Sequence, residues 1–239
     1  MRARVGLLLF VLLCTAPGAE KPKLFVYIPS TIRPAVFEKQ LQKDCPSLNV
    51  TFYGHHRPLS KAIRQAAPAA FISLEPVVDQ TRYDMFERAL TGMRDGKDWE
   101  PYLLLSREVI DKSKLDQIDI GVVDILSRSK MKVMLSEMLG IEAPKYTPVT
   151  KMADLLALLQ VKQADGILVR QELAKTYFRR RTEMTLFDNV VPSAKMGLPV
   201  LVVLKGVDPA QKQALIDAIK ALGNEMNAKL GVELWKETP

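Results

Sequence analysis

Two periods of apolar spacing run through this chain. Short, largely apolar runs at residues 23–28 (KLFVYI), 69–74 (AAFISL), 164–169 (ADGILV) and 198–206 (LPVLVVLKG) have the length and branched content of buried strands. Residues 48–54 (LNVTFYG) and 118–124 (IDIGVVD) read as two more. Between the strands the spacing changes to that of helices. Residues 30–45 begin as a loop and turn into a helix, and residues 58–66 form a short helix on a Leu59–Ile63 face. The clearest stripe is Met131, Met134, Leu135, Met138 and Leu139, spaced i, i+3, i+4, i+7 and i+8 and closed by Gly140. Thr150 is placed to cap a helix with Met152, Leu155, Leu156 and Leu159 on one face, and residues 171–181 (QELAKTYFRRR) read as another. Asp208, Pro209 and Gln211 supply N-cap, N1 and N3 of a last helix that carries Leu215, Ile219 and Leu222.

Strands alternating with helices predict an α/β fold with two mainly parallel sheets and flanking helices. The alternation fails twice. Residues 84–108 hold two strand-like runs around Asp95-Gly96 with no helix between them. Residues 186–191 (LFDNVV) are a weak strand followed closely by the strong one at 198. Each break is a place for the chain to cross between lobes. The expectation is a bilobal molecule with a cleft: residues 19–95 and 193–239 in lobe 1, residues 96–192 in lobe 2, and both chain ends in lobe 1.

Residues 1–18 are expected to be a secretory signal peptide. They show Arg2 and Arg4, eight apolar residues from Gly6 to Leu13, and then Ala16 and Gly18 at the −3 and −1 places of a cut after Gly18. Eight apolar residues are too few to cross a bilayer. Cys14 fits a lipoprotein site poorly, because Leu13 stands where a small residue is needed. The expected location is the periplasm. Loss of Arg2 and Arg4 takes the formal net charge from +7 to +5, a modest excess that suits an anionic ligand or surface. Cys45 is the one cysteine after the leader, so no internal disulfide forms. Stability must come from the core, for which about 220 residues suffice.

Candidate chemistry concentrates where strands give way to helices. In VVDILSRSKMKVML (122–135) a strand leads into the Met131 helix through Ser127, Arg128 and Ser129. One reading is a plain N-cap, worth about 1 kcal/mol. The other is an anion seat, with two hydroxyls and a guanidinium beside free N–H groups at the positive end of a helix dipole. YIPSTIRP (27–34) repeats the arrangement with Ser30, Thr31 and Arg33, and the two stretches would face each other across a cleft. His55 and His56 are the only histidines. Adjacent histidines need a third ligand, and no carboxylate or thiol follows at metal spacing, so no metal site is expected. No Ser-His-Asp pattern, glycine-rich phosphate loop or paired-carboxylate spacing marks a catalytic centre. Arg179, Arg180 and Arg181 read as a solvated helix end, not a nucleic-acid patch, because no aromatics are interleaved with them.

The order of these pieces resembles type II periplasmic substrate-binding proteins of the phosphate/phosphite/phosphonate branch. In that family a valine–aspartate pair ends a strand, and a Ser-Thr-Ser-Gly segment then opens a helix. Val123 and Asp124 match the pair, and Ser127 and Ser129 match the serines. Arg128 stands for the threonine and Lys130 for the glycine. DLLALLQVKQADGILV, with Ala164 and Asp165, and GLPVLVVLKGVDPAQKQALIDAIKAL resemble the family's helix-then-strand segment and its closing strand and helix. RDGKDWEPYLLLSRE resembles its passage into the second lobe. The family's glycine-proline-tyrosine ligand loop is present only as SLEPVVDQ, where Glu75 stands near the glycine's place and is a further candidate ligand contact. A carboxylate there would repel an anion or bind an amino group.

The resemblance implies a monomeric, non-enzymatic protein without cofactor. It would capture a small anionic solute and hand it to the permease of an ATP-binding-cassette (ABC) transporter, with no nucleic-acid partner. Two other readings share the fold. One is a solute-sensing module without transport. The other is an enzyme of the thiamine-precursor type, for which His55 is the candidate reactive group.

Overall fold

The computed structural model describes residues 20–81 and 84–238, so the expected signal peptide at 1–18 lies outside the described residues. The chain begins with a β-α alternation: β1 (Lys23–Tyr27), α1 (Pro34–Asp44), β2 (Asn49–Phe52), α2 (His56–Gln65), β3 (Ala70–Leu74) and α3 (Glu75–Thr81). Two eight-residue strands follow, β4 (Phe86–Met93) and β5 (Trp99–Ser106). The alternation then resumes with β6 (Asp119–Val123), α4 (Arg128–Leu139), β7 (Lys145–Val149), α5 (Leu155–Gln160), β8 (Gly166–Arg170) and α6 (Gln171–Leu173). After β9 (Phe187–Asn189) and β10 (Lys195–Gly197), the chain closes with β11 (Pro199–Leu204), α7 (Pro209–Lys220), α8 (Asn224–Leu230) and β12 (Leu234–Glu237).

Two sheets result. The first has the order β12-β4-β11-β3-β1-β2, and the second β10-β5-β8-β6-β7, with β9 also on β5. Pairs β1–β2, β1–β3, β6–β7 and β6–β8 are parallel, as β-α-β units require. The strands that carry or adjoin the crossings pair antiparallel, so each sheet is mixed and not mainly parallel. The first crossing is the Asp95-Gly96 turn, where both residues have positive φ (50° and 70°) and Arg94 and Lys97 pair across it. The second needs only Leu198, which links β10 in the second sheet to β11 in the first. Lys195–Gly197, placed above with lobe 1, therefore lie in the second sheet because they pair with Trp99–Pro101 of β5.

The helix signals hold where an apolar face is strong. All five stripe residues of α4 are buried, and Gly140 ends the helix at φ 68°, a left-handed conformation that costs glycine little. Asp208 caps α7 through hydrogen bonds from the N–H groups of Ala210 (2.9 Å) and Gln211 (3.2 Å). Thr150 caps nothing: a 3-10 turn at Met152–Asp154 precedes α5, and Lys151 stands at its N-cap place without a side-chain hydrogen bond. Residues 171–181 are less regular than expected, with α6 continuing as a π turn and then a 3-10 turn. Arg179 there pairs with Asp188 at 2.8 Å, and Arg181 stacks on Tyr177.

One hydrophobic cluster fills the outer side of each sheet, and a third runs between the two sheets. The third joins Tyr27, Leu59, Ile63 and Leu74 from the first half to Val122, Ile125, Leu126 and Met131 from the second. Near the crossing strands Arg170 Nε stands 2.7 Å from Glu100 Oε1, with both side chains nearly buried. Burial raises the Glu100 carboxyl above its usual range, although the Arg170 and Arg94 guanidinium groups pull it down.

Candidate functional site

The site is built at the C-terminal end of β6. The Asp124 N–H donates to the Val149 carbonyl at 2.8 Å and so prolongs the β6–β7 pairing by one residue. Ile125 and Leu126 then sink into the interlobe cluster, each at most 3% exposed. That burial forces the chain to surface at Ser127, which takes an extended conformation (φ −65°, ψ 155°) and starts α4. The Ser127 carbonyl accepts the Met131 N–H at 2.8 Å, but the hydroxyl makes no capping hydrogen bond. The first turn holds no acid; it carries Arg128 and Lys130, cations at the positive end of the helix dipole. Such a start is electrostatically unfavourable by itself.

The opposite wall comes from α2. Its sequence, HRPLSKAIRQ, buries Leu59 and Ile63 on one side. The opposite face then carries Arg57, Ser60 and Arg64 at three- and four-residue spacing. The start of α2 also lacks an acid. The two helix starts enclose a groove of about 590 Å³ lined by His56, Arg57, Ser60, Arg64, Ile125, Leu126, Ser127, Arg128 and Lys130. Two hydroxyls, four cations and two helix N-termini thus meet a floor of isoleucine and leucine, with no carboxylate in the lining.

A contact between the lobes lies beside this groove. The His55 Nδ1 accepts the Arg57 N–H at 3.1 Å and caps α2, while its Nε2 stands 3.7 Å from Asp124 Oδ2. The His56 Nδ1 lies 3.1 Å from the Asp124 carbonyl oxygen, where it can only donate. Arg57 Nη2 approaches Asp124 Oδ2 at 3.4 Å from a largely solvent-exposed side chain. The imidazole rings are 4.7 Å apart and tilted by 30°. Burial lowers the pKa of both histidines below 6.5, with the neighbouring His56 adding to the effect at His55. One ligand atom from each of His55, His56 and Asp124 lies within 4.8 Å of the others.

The remaining expected positions fall elsewhere. Ser30 Oγ accepts the Ile32 N–H at 3.1 Å, Arg33 is the N-cap residue of α1, and Thr31 and Arg33 are exposed. None of the three lines the groove, and neither does Ser129. Glu75 opens α3 and pairs with Arg88 at 2.8 Å, a guanidinium it shares with Asp79. It lines a separate groove with Pro76, Asp79 and Glu137. Gly197 of β10 leaves the room Glu75 occupies: a Cβ there would meet the Glu75 carboxylate at 1.9 Å. A second interlobe cavity, between Pro29, Tyr102, Val122, Met131 and Met196, holds about 30 Å³, the space of one water, with mostly apolar walls. Sequence reasoning gave no groove role to His56, Arg57, Ser60, Arg64 or Lys130.

No protein-family model and no curated protein sequence matches the chain. Solved structures do. A binding-protein component of an ABC phosphonate transporter from Pseudomonas aeruginosa superimposes with a TM-score of 0.62 at 13% identity, over 92% of this chain and 82% of that one. A Xanthomonas citri protein bound to ATP gives 0.61 at 11% identity, over 92% of both chains. The periplasmic VFT2 domain of Bordetella pertussis BvgS gives 0.57 at 14% identity, over 89% of this chain and 94% of that one. The chain has the fold of these proteins, two mixed α/β halves with flanking helices.

Proposed function

We propose that the chain is a non-enzymatic solute-binding protein whose ligand is a small anion of the phosphate or phosphonate kind, bound where α2 and α4 begin. The groove between those helices carries the reading. Its lining has Arg57, Arg64, Arg128 and Lys130 and no acid, and the Ser127 hydroxyl is not spent on capping. Two halves of a fold that each supply one helix start suit a ligand held between lobes. The lobes in this proposal are residues up to Met93 with those from Pro199 onward, against Trp99–Gly197. Export to the periplasm and delivery as a monomer to an ABC permease complete the reading. They are supported by the expected signal peptide and by the likeness to a phosphonate-transporter component.

Calorimetric titration of the EDTA-treated protein with inorganic phosphate, methylphosphonate and a small dicarboxylate tests it. At least one phosphorus oxyanion should bind saturably at one site, and Arg64→Ala and Arg128→Ala should each weaken that binding. Saturable binding that ignores both arginines, or no binding of any of the three anions, would overturn the assignment.

A further inference from the structure

We propose that His55, His56 and Asp124 form a site for one divalent transition-metal ion of zinc-like character, bridging the two lobes. The inference goes beyond the anion reading and stands without it. Adjacent histidines lack a third ligand in the sequence, and the fold supplies one from 68 residues away, with the three ligand atoms within 4.8 Å of one another. That spacing needs only small side-chain movements to reach ligand distances of about 2 Å from a shared ion.

The hydrogen bonds around the cluster set which ring nitrogen of each histidine keeps a lone pair for a metal. Its Nδ1 faces the Asp124 carbonyl at 3.1 Å and carries the proton, which leaves the lone pair on Nε2. A ligating histidine is usually oriented this way, with its other ring nitrogen donating to a backbone carbonyl. His55 is held by its Nδ1, which accepts the Arg57 N–H, so ligation through Nε2 moves the ring proton to Nδ1 and gives up one capping hydrogen bond. Asp124 contributes the carboxylate. Its present partner, the Arg57 guanidinium, is about three-quarters exposed and free to swing into solvent. Two imidazoles and one carboxylate suit zinc and its neighbours and do not suit calcium or magnesium, which prefer oxygen cages. Three protein ligands leave a fourth position for water or solute. An ion held by both lobes would fasten them together at the edge of the basic groove.

The test uses untagged full-length protein, stripped with EDTA and titrated with zinc chloride by calorimetry, with no anionic solute added. One zinc per chain should bind, and the melting temperature should rise with zinc because the ion binds the folded state. Asp124→Asn should weaken binding at least about tenfold, since outer partners of a metal site alone are worth that much. His55→Asn keeps a good N-cap for α2 while removing the imidazole, so it should fold normally and lose zinc to a similar degree. If Asp124→Asn fails to fold, His55→Asn alone decides. Arg57→Ala should bind zinc more tightly than the natural protein. Zinc binding unaffected by His55→Asn, calcium binding of equal strength, or no zinc uptake at all would each overturn the proposal. Because phosphate binding is measured separately on metal-free protein, failure of one assignment leaves the other standing.

Discussion

Replacing Ser127 with alanine separates capping from ligand binding, because the structure assigns the hydroxyl to neither helix nor core. An N-cap serine that bonds the first turn costs about 0.5–2 kcal/mol of stability when truncated. Ser127 occupies the N-cap place, but its hydroxyl makes no such bond and its side chain is exposed. Its removal should therefore change unfolding free energy by no more than about 0.5 kcal/mol. In the groove the same hydroxyl is one of two among four cations, and a bound anion would accept from it. Hydrogen bonds to charged groups are worth about 1.5–3 kcal/mol. At about 1.4 kcal/mol per decade, affinity should fall roughly 10- to 150-fold. Urea unfolding and calorimetric titration of Ser127→Ala with the tightest-binding anion give both numbers from one preparation. Ser129→Ala is the contrast, two residues on and outside the groove. It should change affinity little. Equal losses in the two variants, or a stability loss near 2 kcal/mol in Ser127→Ala with affinity intact, would refute the reasoning.

Three further outcomes follow from buried groups. His55 and His56 have depressed pKa values, so the folded state binds fewer protons than the unfolded chain. Stability that is full above about pH 6.5 should then decline as pH falls below it, and His55→Asn with His56→Gln should flatten that part of a melting-temperature profile. Cys45 is 1% exposed, and burial pushes its thiol up to about 11, so Ellman's reagent should label it at neutral pH only after urea unfolds the protein. Arg170→Met leaves Glu100 buried beside the crossing strands without its closest cation. It should cost about 3–5 kcal/mol in urea, much of which Glu100→Gln in the same chain should restore.

What the sequence made legible follows from how much each element buries. The strands β1, β3, β8 and β11 are buried along most of their length, so they stand out as apolar runs. β7 and β12 are edge strands: β7 has no fully buried residue and contains Pro148, and β12 buries only Trp235. Neither carries a period that a reader of sequence would detect. α3 was hidden by resemblance, because SLEPVVDQ read as a ligand loop whereas Glu75-Pro76 opens a helix. The strand-to-helix passage at Ser127 and Arg128 was legible, and both residues start α4 and line the groove. The start of α1, expected to face it, does not line that groove. The helix that does line the groove, α2, shows its Arg57, Ser60 and Arg64 face in sequence, but nothing local says which helix start reaches across to the second lobe. The pairing of His55 and His56 with Asp124 spans 68 residues and exists only once the lobes meet.

The placement of charge and apolar surface explains how such a groove exists at all. Three of the four cations, Arg57, Arg128 and Lys130, stand at two positive helix ends, with Arg64 in the last turn of α2, and this arrangement by itself drives the lobes apart. Ile125 and Leu126 oppose it: both are buried in the cluster that also holds Leu59 and Ile63 of α2. Burying two such side chains contributes about 3–6 kcal/mol. The Asp124 carboxylate adds a negative charge within reach of His55 and Arg57. Apolar contact thus holds in place a field that solvent screens only in part, and under the proposed function an anion that touched both helix starts would gain most from the joined arrangement. It would therefore shift the population of lobe positions toward that arrangement. Salt acts on the two contributions differently. It leaves the apolar contact nearly unchanged and weakens the attraction for the anion, so affinity should fall with ionic strength while unfolding stability does not.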